Sequence, residues 1–98
     1  MKVINLLRLD PLARVSPEVK TLTHCRFQIA KQAAWASIED VQYSFPQQIL
    51  LDGDWVLFLV ANGKYLIRTK IDFVNEVVYI RATYTEAEHK REQRKKQE

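Results

Sequence analysis

Arg68, Lys70, Tyr79 and Arg81 bring fixed positive charge and an aromatic ring together in one part of the chain, with Lys64 just upstream. Guanidinium and ammonium groups pair with phosphate oxygens, and an aromatic ring stacks on a base for about 1 to 3 kcal/mol, so this set suits single-stranded nucleic acid. A solvated strand face carrying edge-protecting charges would use the same residue types. Proton transfer asks for a different group. His89, flanked by Glu86 and Glu88, can serve as general acid or base near neutral pH, although a histidine in a charged helix is often only solvated. His24 sits beside the apolar stripe of an expected helix and reads as structural. The histidines and the single Cys25 offer no zinc-ligand spacing, and there is no glycine-rich phosphate loop, nucleophile elbow or paired-carboxylate motif.

The elements that must position these residues lie mainly between Trp55 and Tyr84, which reads as three strands joined by two turns. Val56 to Val60 is a continuous apolar run, as in a strand covered on both faces. Asn62-Gly63 is the strongest local signal, because both residues accept positive φ as a type I′ hairpin turn needs. In the next strand Tyr65, Ile67, Thr69, Ile71 and Phe73 alternate with Leu66, Arg68, Lys70 and Asp72. Asn75 and Glu76 turn the chain into the last strand, with Val78, Ile80 and Ala82 on one side and Val77, Tyr79, Arg81 and Thr83 on the other. Pairing then gathers Arg68, Lys70, Tyr79 and Arg81 on one open sheet face.

Before the sheet, Val3-Ile4 suits a short edge strand, and Asp10 is expected to cap a short helix from Pro11 to about Val15. Ser16-Pro17 starts a longer helix to about Ala34, with Val19, Leu22, Cys25 or Arg26, Ile29 and Ala33 as the stripe facing the sheet. Ser37 and Asp40 resemble a capping box for a third helix, Ile38 to about Tyr43, and Asp52-Gly53-Asp54 forms a turn. After the sheet, Thr85 and Glu88 form another capping box. The helix they open has no large apolar residue from Glu86 to Glu98, so it is expected to fray, to be disordered near its end, or to order on a partner.

The chain of 98 residues supports one core, and its 47% apolar and 28% charged composition suits a globular domain. One cysteine allows no intrachain disulfide, and the amino terminus resembles neither a signal peptide nor a membrane span, so a cytoplasmic protein is expected. Net charge is only +3, but no Lys or Arg occurs from Gln32 to Gly63, whereas nine follow from Lys64 onward. That concentration suits an anion-binding face, and a basic tail that maintains solubility would give it too.

Several segments taken in order resemble the HigB-type toxin family of bacterial toxin-antitoxin modules, within the wider RelE and ParE superfamily. They are Val3-Ile4, Trp35-x-Ser37 with Asp40-Val41, Asp52-Gly53, Phe58, Gly63-Lys64-Tyr65, Lys70-Ile71, and Val77-Val78-Tyr79-Ile80-Arg81 followed by Thr85-x-Ala87-Glu88. The resemblance implies a small α+β RelE-like fold: a mainly antiparallel sheet of about four strands, two to three N-terminal helices on one face, and a charged C-terminal helix or tail. Residues 1–85 would form the toxin domain and 86–98 the helix or tail. The implied activity is ribosome-dependent endoribonuclease cleavage of mRNA by 2′-hydroxyl attack, inhibiting translation in a bacterial cytoplasm, with no metal or small-molecule cofactor and no membrane. The implied partners are mRNA, the ribosome and a HigA-like helix-turn-helix antitoxin. On this reading His89, Glu86 and Arg68 are the catalytic candidates, and Lys64, Lys70, Tyr79 and Arg81 bind RNA.

The sequence departs from the family at polar positions. Leu59 and Gly63 stand where Asn is usual, and Leu66 where Arg is usual, with Arg68 two residues on along the same strand face. Glu86 replaces a histidine and His89 a tyrosine. The alternative is therefore a catalytically degenerate toxin-like protein that binds antitoxin or RNA without cleaving it.

Overall fold

In the computed structural model, which describes residues 1–97 and the side chains of residues 1–92, the Asn62-Gly63 signal becomes a hairpin. β3 (Trp55–Val60) and β4 (Tyr65–Asp72) pair antiparallel, from Val56 opposite Thr69 to Val60 opposite Tyr65. Ala61 at φ 55°, Asn62 at φ 58° and Gly63 at φ 86° are all left-handed, so the loop is the four residues between Val60 and Tyr65 rather than the expected two-residue type I′ turn, and the Lys64 N–H donates to the Ala61 carbonyl at 3.2 Å across it. A Cβ at Gly63 would meet no heavy atom within 4 Å, so a substitution there costs backbone strain alone. Gly63→Ala is expected to lower stability by about 1 to 2 kcal/mol in urea unfolding, with an unchanged slope against denaturant.

The sheet has five strands in the order β1-β5-β4-β3-β2. β1 (Lys2–Ile4) is the expected edge strand and runs parallel to β5 (Val77–Thr85), while every other pairing is antiparallel. The additional strand is β2 (Ile49–Asp52) at the opposite edge. Its four residues are too few to show an alternation. It becomes a strand because Gly53, at φ 60°, returns the chain and leaves Asp52 opposite Trp55.

Ser16 starts α2 (Pro17–Gln32) as expected, its Oγ accepting the Val19 N–H at 3.1 Å. The buried stripe matches the expected one only in part: Val19, Thr23, Phe27 and Ala30 face inward and the expected Leu22 and Ala33 pack half-buried against the core, while Ile29 and Cys25 are exposed. The four inward residues also recur at helical spacing. They prevail because Phe27 fills the core, meeting Phe58 edge-on at 5.6 Å. Arg26 is half-buried and ties α2 to the sheet, its Nε–H donating to the Leu59 carbonyl at 2.8 Å. His24 is exposed at the surface of α2, and among the described residues its ring bonds Gln28 at 3.3 Å.

Two caps differ from expectation. α1 (Asp10–Ala13) continues directly from a 3-10 turn at Leu6–Leu9, so Asp10 lies within the helix rather than capping it. α3 (Ile38–Ser44) receives no side-chain bond from Ser37; Asp40 reaches back instead to the Ala36 N–H at 2.8 Å. Phe45 meets Phe58 at 5.4 Å and Trp35 at 6.0 Å, completing an aromatic row from Phe27 to Trp35 through the inner core. The Met1 ammonium donates to the Ala30, Lys31 and Ala33 carbonyls at 2.9, 3.0 and 2.8 Å. It thereby satisfies the negative end of α2.

The decisive irregularity is in β5. Arg68 pairs with Ala82 but Thr69 pairs with Ile80, leaving Arg81 as an extra residue. Strict alternation expected Ala82 to face the core with Ile80, and Thr83 to face outward. Past the bulge the phase reverses: Ala82 and Tyr84 stand opposite Arg68 and Leu66 on the outer face, and Thr83 opposes Ile67 on the inner one. Arg8 holds the bulge, its Nη1 donating to the Arg81 carbonyl at 2.8 Å.

α4 (Glu86–Gln97) follows without a break, and it packs on β4 and β5. The expected capping box is present. Thr85 Oγ1 accepts the Glu88 N–H at 3.2 Å, and the Thr85 N–H donates to Glu88 Oε1 at 3.3 Å. A bond of 2.9 Å from the Glu86 N–H to the Lys64 carbonyl joins this end of the helix to the hairpin.

Candidate nucleic-acid interface

The outer face of the sheet is built by the residues that alternate away from the aromatic core. On β4 these are Leu66, Arg68 and Lys70; across β3 they meet Leu59 and Leu57, and across β5 they meet Tyr84, Ala82 and Tyr79. Lys70 is exposed directly opposite Tyr79, itself 40% exposed, so a cation and a ring are presented side by side to solvent. Arg81 is exposed at the bulge, and Lys64 is exposed in the hairpin.

Arg68 is the most constrained cation. Its guanidinium carbon lies 5.6 Å from the Trp55 ring centre and 5.0 Å from that of Tyr84, so two rings hold it. The side chain is 13% exposed, and its Nη2 donates to Glu92 Oε2 on α4 at 2.8 Å. Its Nε–H is buried and has no partner among the described residues. Such a donor is costly to leave unpaired, about 1 to 3 kcal/mol, which is tolerable where a ligand or water completes the site. Beneath this cluster Leu57 and Leu66 are 1% and 2% exposed, giving the face an apolar floor.

The two proton-transfer candidates are i,i+3 neighbours on α4 but differ in exposure. His89, half-buried, precedes Glu92 by three residues and therefore lies toward the sheet. Glu86, three residues before His89 and about 60° from it around the helix, is exposed and bonded to Lys90 at 2.9 Å. That hydrogen bond, and then the Lys90 charge, hold the Glu86 carboxyl below its usual range, so it is ionised at neutral pH and has no proton to give. Among the described residues no group of three His, Cys, Asp or Glu side chains could hold a metal ion.

Three members of the cluster were missed from sequence. Trp55 had a signal, since it alternates with Leu57 and Leu59 on the outer face. Tyr84 was hidden by the bulge, and Glu92 by a helix with no stripe to orient it.

An open, mostly antiparallel sheet with its first three helices on one face and a cationic, aromatic opposite face is the architecture of a small RelE-like protein. A family model described as HigB_toxin, RelE-like toxic component of a toxin-antitoxin system, matches residues 20–92, and the chain belongs to this family. It is thus a toxin whose partner is an antitoxin. No curated protein matches the chain. No helix among the described residues is long and apolar enough to cross a membrane.

Proposed function

We propose that this toxin is a ribosome-dependent mRNA endoribonuclease that stops translation in a bacterial cytoplasm and is held in check by a HigA-like helix-turn-helix antitoxin. The observation that carries this reading is the caged Arg68 beside the exposed Lys70–Tyr79 pair. Lys64, Lys70 and Arg81 bind successive phosphates, and Tyr79 stacks on a base. His89 takes the proton as an RNA 2′-hydroxyl attacks the adjacent phosphate, forming a pentavalent centre whose charge Arg68 neutralises; the P–O5′ bond then breaks, leaving a 2′,3′-cyclic phosphate and a 5′-oxygen to which His89 returns the proton. Glu86, ionised beside Lys90, contributes a negative charge or accepts a proton. In this scheme residues 1–85 supply the binding surface, and 86–98 bring the proton-transfer group to it.

A second reading, binding without cleavage, is favoured by one observation. Leu59 and Leu66 stand opposite each other, an apolar pair where the family resemblance calls for Asn and Arg. Inducing the protein without antitoxin and mapping mRNA 5′ ends separates the two. Cleavage predicts growth arrest with new 5′ ends inside coding regions, and Ala at position 89 (His89→Ala) should relieve the arrest by about tenfold or more while the protein stays folded. Normal growth with no new ends would establish the binding-only reading, and arrest unchanged in the variant would remove His89 from the mechanism.

A further inference from the structure

Resting on the reading of Arg68 as a phosphate ligand, we propose that α4 is a latch on the RNA-binding face. Glu92 occupies the place on Arg68 that a backbone phosphate takes, and RNA must displace it. A carboxylate and a phosphate oxygen make the same demand on a guanidinium, namely acceptors aligned with its planar N–H donors. With the rings of Trp55 and Tyr84 holding the guanidinium, that planar edge is fixed in place, and Glu92 at 2.8 Å is its only anionic partner among the described residues. Among the described residues α4 has little else to hold it there. Its first turn is fastened by the Thr85–Glu88 box and the Lys64 carbonyl, but it carries no large apolar side chain to bury. Glu92 itself is 37% exposed, an ion pair of the kind that a polyanion and salt both weaken. The helix can therefore release its far end while its first turn stays in place.

The test is the affinity of the full chain for a short labelled oligouridylate, by fluorescence anisotropy at fixed salt, with thermal unfolding recorded for each variant. Glu92→Gln should bind about threefold to fivefold more tightly than the unaltered protein. Arg68→Gln should bind more weakly, and the double variant should match Arg68→Gln. Tightening that persists in the Arg68→Gln background would make Glu92 a general repulsive charge and overturn the latch. Affinity unchanged or reduced in Glu92→Gln, with Arg68→Gln still weakened, would overturn the latch and leave phosphate binding standing. If Arg68→Gln binds as the unaltered protein does, phosphate binding by Arg68 fails, and the latch fails with it.

Discussion

Arg68→Gln is expected to slow RNA cleavage by about 100- to 1000-fold, the usual loss when a preorganised donor to a developing anion is removed. Arg68→Lys should recover only a small part, because an ammonium can neither stack flat against Trp55 and Tyr84 nor offer two parallel donors. The fold should survive both changes. Arg68 already carries a buried Nε–H without a partner among the described residues, so its removal relieves a cost in the native state that offsets part of what is given up, the partly exposed ion pair at Glu92 and the contacts with the Trp55 and Tyr84 rings. Single-turnover cleavage of ribosome-bound mRNA, with thermal unfolding as the control, measures the effect. Full activity in Arg68→Lys would mean that charge alone suffices and the aromatic cage is incidental.

Phe58→Ala should give the largest loss of stability in the chain, about 3 to 5 kcal/mol. Phe58 is 1% exposed and touches both Phe27 and Phe45 edge-on, so truncation opens a cavity at the centre of the aromatic row. A domain of this size has about 5 to 15 kcal/mol in total, and the variant would be partly unfolded near physiological temperature. Function should fall as well. Phe58 lies opposite Ile67, and its neighbour Leu57 lies opposite Arg68, so a shift of β3 into the cavity moves the floor under the guanidinium. Urea unfolding of Phe58→Ala beside Phe58→Leu tests this, with the leucine variant retaining most of the lost stability. A loss below about 1 kcal/mol for alanine would show that the core closes over the gap.

The two predictions separate what local chemistry writes into a chain from what long-range pairing decides. The hairpin at Asn62-Gly63 could be read directly, because few residue types accept positive φ in succession, whereas Ala61, also at positive φ, gave no such signal. Ser16 and the Thr85–Glu88 box were legible for a related reason: a helix start leaves N–H groups that only nearby side chains can satisfy. Asp10 and Ser37 show the limit, since each had the right chemistry at a helix start and the chain satisfied those groups otherwise. The stripe of α2 was ambiguous because two faces had apolar residues at helical spacing, and only the fit of Phe27 against Phe58 chose between them.

By itself, then, the sequence determined the hairpin, the mixed α+β class, the basic second half and the cations Arg68 and Lys70 on one strand face. These depend on residue type and on a period of two, both local properties. The tertiary structure decided the surroundings of those cations. Arg81 enters β5 as an unpaired residue because the ladder from Thr69 must meet Ile80, and that one insertion turns Tyr84 outward beside Arg68. Trp55 arrives from the neighbouring strand, and Glu92 from a helix whose own sequence gives it no preferred side. A bulge is set by the register between two strands and an ion pair by the path of a helix after it, and neither is encoded at the residues where its effect is felt.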